Sequence, residues 1–149
     1  PRCLLQANFV GPPSATIYRR SGKFQFDTNL KWLVDVDAYV RILSEGGRFQ
    51  YSSRPLINVT AGAAHQVTRE VQGNPILQYV ENAYVYRAFC FTGLERFHFF
   101  SFFRGLARNL NLPQLDEVLL NPNVIDAPIE IRLPMLLRKS CLAVRRIAW

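Results

Sequence analysis

Between Asp35 and Leu43 the chain is written in helical period: Val36, Tyr39, Val40 and Leu43 fall at i, i+3, i+4 and i+7. A helix with one such face has to lay it against a core. Its boundaries are also marked. Asp35 stands where a side-chain carboxylate can cap free backbone N–H groups, and Gly46-Gly47 suits the left-handed turn that ends a helix. Asp37 and Arg41, spaced i, i+4, can pair along the helix side. The flanking segments read differently. Residues 1–13 form a loop closing in Gly11-Pro12-Pro13, and Ser14-Ala15-Thr16-Ile17-Tyr18 then alternates as a strand. Arg19 to Gly22 make a polar turn, and Phe24, Phe26 and Leu30 lead into Trp32-Leu33-Val34. Arg48-Phe49-Gln50-Tyr51 and Leu56-Ile57-Asn58-Val59 supply two further strands. A strand-helix-strand unit is therefore expected at the front of the chain.

Beyond about Thr68 the signals turn helical. Asn74 caps and Pro75 opens a long helix whose buried face is expected at Leu77, Val80, Tyr84 and Ala88, with Glu81 at the watery edge. An aromatic helix is expected over 93–109 and a short one over 114–120, before the turn-prone Asn121-Pro122-Asn123. Pro134 is expected to start the last helix, with Leu136, Leu137, Cys141 and Val144 on one side. Arg138, Lys139, Arg145 and Arg146 cluster on another side of it. The Phe-rich stretch near Phe97 is broken by Arg96, His98 and Arg104, so no run is apolar enough to cross a bilayer. A chain of 149 residues holds one domain with a real core, and not comfortably two.

The net charge of +7 is compatible with nucleotide phosphates, anionic lipid or nucleic acid. The arginines are dispersed and no nucleic-acid-binding motif accompanies them, which argues against a nucleic-acid partner. Cys3, Cys90 and Cys141 are too far apart for a metal signature and odd in number, so they read as buried or free thiols. Asn58-Val59-Thr60 matches a glycosylation sequon by chance. The opening Pro1-Arg2-Cys3 shows neither Met nor a secretory leader. It suggests a fragment of a longer, cytoplasmic protein, at most touching the inner face of a membrane.

A run of segments in fixed order resembles the second half of a family 2 glycosyltransferase of the GT-A fold. They are Gly11-Pro12-Pro13-Ser14-Ala15-Thr16-Ile17-Tyr18-Arg19-Arg20, then Phe26-Asp27, then Leu30 to Arg41 through Trp32-Leu33-Val34-Asp35-Val36-Asp37. Gly46-Gly47, the Arg48–Tyr51 stretch, Pro55-Leu56, Gln66-Val67-Thr68 and Glu81 continue the pattern, so that the likeness covers roughly residues 8–90. It implies an α/β fold (α+β as a fragment): residues 1–68 as the C-terminal part of a Rossmann-like GT-A domain, and residues 69–149 as a mostly α-helical extension. It also implies that the nucleotide pocket and a metal-binding Asp-x-Asp lie upstream. A long exposed sheet edge is then expected near Ser14–Tyr18.

The chemistry implied is inverting transfer of a sugar from a nucleotide-sugar donor to a saccharide or lipid-linked acceptor, in envelope or exopolysaccharide assembly. A carboxylate takes the acceptor proton, and a divalent metal (manganese or magnesium) steadies the leaving diphosphate. By resemblance Asp35 is that base; by its helix pattern alone it is a cap. Asp37 either contacts the acceptor or pairs with Arg41. Ser14 and Ala15 resemble the small residues beside the acceptor, or simply begin a strand. Trp32 either stacks on a sugar or joins the core. Arg19 and Arg20 meet phosphate or are surface charge, and His65 and His98 are structural or exposed. The basic last helix suits a peripheral contact with anionic lipid, or else packs on the domain with a solvated edge. A different class of function stays open: a non-catalytic module that binds partners or acceptors.

Overall fold

The computed structural model describes residues 2–19, 25–58, 71, 73–89 and 91–147. The helical pattern around Val36 folds as α1, Val34–Ser44, with Val36, Tyr39 and Val40 buried and Leu43 half-buried. Ala38 and Asp37 are buried with them. The helix ends in a Schellman turn: Gly46 takes φ +86°, its N–H donates to the Leu43 carbonyl at 3.3 Å, and the Gly47 N–H donates to the Ile42 carbonyl at 2.8 Å. Asp35 is not the cap. Leu33 holds that position without a side-chain bond, and Asp35 sits inside the first turn.

Among the described residues every regular element is helical and none is a strand, which overturns the expected α/β, Rossmann-like fold and its exposed sheet edge. The reason is visible in each segment expected to form a strand. Pro13–Ala15 is a 3-10 turn, closed by Ala15 N–H on the Pro12 carbonyl at 2.9 Å and Thr16 N–H on the Pro13 carbonyl at 3.1 Å. Two consecutive prolines fix φ and remove two donors, so a turn forms where alternation suggested a strand. Arg48–Tyr51 and Leu56–Asn58 are exposed and lie in no ladder. Alternation makes a strand only when a neighbour accepts and donates the backbone bonds. Val59, His65 and the Gln66–Thr68 segment lie outside the described residues.

The chain divides into two compact units, Pro1–Arg69 and Glu70–Trp149. In the first, a short 3-10 turn at Arg2–Leu5 packs on α1 and buries Leu4 and Leu5. Tyr39 is the hub of its aromatic cluster: it stacks with Tyr18 at 6.3 Å and meets Phe49 edge-on at 5.7 Å between ring centroids. The second unit contains α2 (Pro75–Arg87), α3 (Gly93–Ala107), α4 (Leu112–Leu120), α5 (Pro122–Ile125) and α6 (Ile129–Ile147). The starts of α2, α3 and α4 are capped by sequence-local bonds. Asn74 accepts from the Leu77 N–H at 3.0 Å, Glu95 reaches back to the Thr92 N–H at 3.0 Å, and Asn111 and Gln114 bond reciprocally at 3.0 Å. The core is built from Tyr79, Phe103, Leu115, Val118, Ile131 and Met135, all fully buried.

Two helices differ from expectation, one in its buried face and one in its start. On α2 the buried residues are Tyr79, Glu81, Ala83, Val85 and Tyr86, whereas Leu77, Val80 and Tyr84 are half-buried and Ala88 is exposed. Glu81 is thus inside, not at a watery edge. Helix α6 begins five residues before Pro134, which lies within it; Ile131 and Met135 are buried, and Leu136, Leu137 and Cys141 are exposed. Pro134 removes only one intrahelical donor, and burial of its neighbours offsets that loss.

Candidate functional site: a clasped carboxylate at the start of α1

Asp35 occupies the second position of α1, where free backbone N–H groups and the helix dipole favour a carboxylate. Its Oδ1 accepts from the Val36 N–H at 2.8 Å, and its Oδ2 accepts from the Asn8 side-chain amide at 2.9 Å. Asn8 is itself fixed. Its Oδ1 accepts from the N–H groups of Val10 and Gly11, each at 3.1 Å, and its Nδ2 also donates to the Gly11 carbonyl at 3.2 Å. Gly11 takes φ +100°, a conformation open to glycine, and this turns its carbonyl toward both Asn8 and the Tyr39 hydroxyl, which donates to it at 3.1 Å. Tyr39 follows Asp35 by one helical turn. Its hydroxyl lies 3.4 Å from Thr16 Oγ1, which donates to the Pro13 carbonyl at 2.9 Å.

A continuous chain of polar contacts therefore runs from Asp35 through Asn8, Gly11, Tyr39 and Thr16 to the turn that carries Ser14 and Ala15. Both of those residues are exposed. Asp35 is half-buried, and that burial pushes its carboxyl above the usual carboxylate range, against the opposing pull of the Val36 amide, its own amide and Asn8. Burial likewise raises the Tyr39 hydroxyl, so it stays a neutral donor. Two carboxylate oxygens offer about four acceptor sites. The contacts to Val36 and Asn8 leave capacity for an incoming hydroxyl.

The other expected residues are placed as follows. Asp37 projects from nearly the opposite side of α1, about 200° around the helix. It is buried and ion-paired with Arg41, whose Nε and Nη2 approach its Oδ2 at 2.8 and 2.6 Å. Arg41 also donates to the Gln25 carbonyl at 3.0 Å. Trp32 is half-buried just before α1, while Arg19 and His98 are exposed. Arg20 lies outside the described residues. Asn8 and the Tyr39 hydroxyl were not singled out from the sequence. The signal for Asn8 was an Asn three residues before a Gly-Pro-Pro turn, a site suited to a side-chain-closed turn.

A second polar cluster lies in the other unit. Glu130 is buried, takes a forked pair of bonds from Arg96 Nε and Nη2, and accepts from the Tyr86 hydroxyl at 3.1 Å. Among the described residues no three histidine, cysteine, aspartate or glutamate side chains gather into a metal-binding set. The divalent metal implied by the resemblance finds no such ligand set among the described residues. No helix of the described residues is long and apolar enough to cross a membrane. Comparison of the chain with family models, with curated proteins and with solved structures finds no match.

Proposed function

We propose that the clasped carboxylate of Asp35 is the general base of a glycosyl transfer. In this reading the protein moves a sugar from a nucleotide-sugar donor to a hydroxyl of a saccharide or lipid-linked acceptor, with inversion, in the assembly of envelope or exopolysaccharide. Asp35 takes the proton of the acceptor hydroxyl as that oxygen attacks the anomeric carbon and the nucleotide diphosphate departs. The observation that carries the proposal is the setting of the carboxylate: half-buried, raised in proton affinity, oriented by Asn8 and the Val36 amide, with acceptor capacity left over. The order of segments around it, from Gly11 to Arg41, supports the same chemistry. Ser14 and Ala15 are small, exposed side chains on the turn that Asn8, Gly11, Tyr39 and Thr16 tie to Asp35.

The test uses the full natural chain with a panel of nucleotide sugars, reading release of nucleoside diphosphate. Asp35→Asn lowers kcat by roughly 10²–10⁴-fold. Circular dichroism is unchanged, because an amide oxygen still accepts from the Val36 N–H. In the wild type the acid limb of the rate profile lies above the ordinary carboxylate value of about 4, since the base must be ionised and burial raises its pKa. Turnover retained in Asp35→Asn removes the carboxylate from the reaction, and a wild type that releases no nucleoside diphosphate with any donor leaves a binding module as the reading.

A further inference from the structure

We propose that the outer face of α6 docks on an anionic phospholipid surface. The inner face of this helix is accounted for: Ile131 and Met135 are buried, α6 packs along α3, and Glu130 is tied to Arg96 and Tyr86. The outer face is not polar. Ile129 is 59% exposed, Leu136 41% and Leu137 49%, and exposed Ser140 and Ala143 continue the same stripe. At 100° per residue these five positions fall within an arc of about 120°. Arg132, exposed, and Lys139 lie along one border of that arc. Lys139 also reaches Asp116 on α4.

Charge selects the occupant. After Glu130 the chain carries Arg132, Arg138, Lys139, Arg145 and Arg146 and no acidic residue. A helix that carries only basic charge beyond its first turn, with Arg132 and Lys139 beside an apolar stripe, suits the headgroup boundary of an anionic bilayer, where leucines enter the acyl edge and Arg132 meets phosphate. A second copy of the chain is disfavoured on the same ground, because a symmetric pair through this face brings the bordering Arg132 and Lys139 of one copy toward those of the other. The inference is independent of the role of Asp35.

The experiment is flotation of the 149-residue chain with vesicles of phosphatidylcholine alone, and with about a third phosphatidylglycerol. The chain is expected to float with the anionic vesicles only, and less so at high salt. Leu136→Ser with Leu137→Ser leaves the charge unchanged and is expected to lower partitioning by roughly tenfold. Ile129→Ser, at the most exposed of the three positions, is expected to lower it severalfold and decides the matter if the double variant misfolds. Anionic binding that survives both variants would mean diffuse attraction and overturns the proposal. So does equal flotation with neutral vesicles. A dimer in the ultracentrifuge that Ile129→Ser converts to monomer also overturns it, since the face is then filled by a second copy.

Discussion

Two carboxylates in this protein show opposite responses to burial, and the difference lies in their partners. Asp35 receives neutral amide donors, so desolvation prevails and its proton affinity rises. Glu130 receives a guanidinium fork. The bonds from Arg96 outweigh desolvation and hold its carboxyl below the usual value of 4.5, with the Tyr86 hydroxyl adding to the effect. A depressed folded-state value means that Glu130 stabilises the fold above its unfolded pKa. That stability is lost as pH falls through the folded pKa. The melting temperature of the wild type is therefore expected to drop on acidification from about pH 5 to about pH 3, and Glu130→Gln is expected to flatten that slope and to melt lower at neutral pH. Thermal melts followed by circular dichroism at stepped pH check this; parallel slopes for the two proteins would remove Glu130 from the acid transition.

At the scale of elements, the end of α1 separates two glycines that look equivalent in the sequence. Gly46 sits at φ +86° with open space where a Cβ would go, so Gly46→Ala costs about 1 kcal/mol for the left-handed backbone alone. At Gly47 an added Cβ would stand 2.5 Å from both the carbonyl oxygen and a methyl of Ile42, on the helix turn whose carbonyl its own N–H bonds. Gly47→Ala is expected to cost more than Gly46→Ala, by a margin of about 1–2 kcal/mol, because backbone has to move. Urea titration of the two variants measures the order. The helix stop itself was legible from Gly46-Gly47, as were the starts at Asn74, because caps and turn residues act over three or four positions. Strands were not legible. The alternation at Ser14–Tyr18 and Arg48–Tyr51 carries no information about a pairing partner, and two prolines redirected the first segment into a turn. Helix faces were legible only where one side is apolar. On α1 the period singled out Val36, Tyr39 and Val40. On α2 and α6 both sides are apolar, Leu77 and Val80 against Tyr79 and Ala83, and Leu136 and Leu137 against Ile131 and Met135, so spacing alone left the choice to tertiary packing. Asp35 stood out through its neighbours in sequence. Asn8, 27 positions away, joins it only through the fold.

For the molecule as a whole, the division into two compact units implies that each carries its own core. In the second unit Phe103 is fully buried and meets Tyr79 at 5.3 Å, Tyr86 at 5.6 Å and Phe102 at 5.6 Å between ring centroids. Tyr86 in turn stacks on Phe91 at 4.2 Å and meets Phe99 at 4.9 Å, so one ring ties α2 to α3 through several partners. The Tyr79 hydroxyl, raised by burial and therefore neutral, donates to the Ile131 carbonyl and fixes α2 to α6. Residues 70–149 expressed alone are expected to be helical and to melt cooperatively, because these contacts lie wholly within that stretch. An 80-residue unit of ordinary stability holds roughly 4–12 kcal/mol. Phe103→Ala removes about 3–5 kcal/mol of transfer and cavity energy. That loss is a large share of the total, so the variant is expected to lose its cooperative transition or to melt far lower, while the same substitution at exposed Phe97 leaves the melt within about 0.5 kcal/mol of the parent. If residues 70–149 are unfolded in isolation, the second unit draws its stability from outside its own core, and Phe103→Ala in the whole chain should then disturb the near-ultraviolet signal of Trp32 as well.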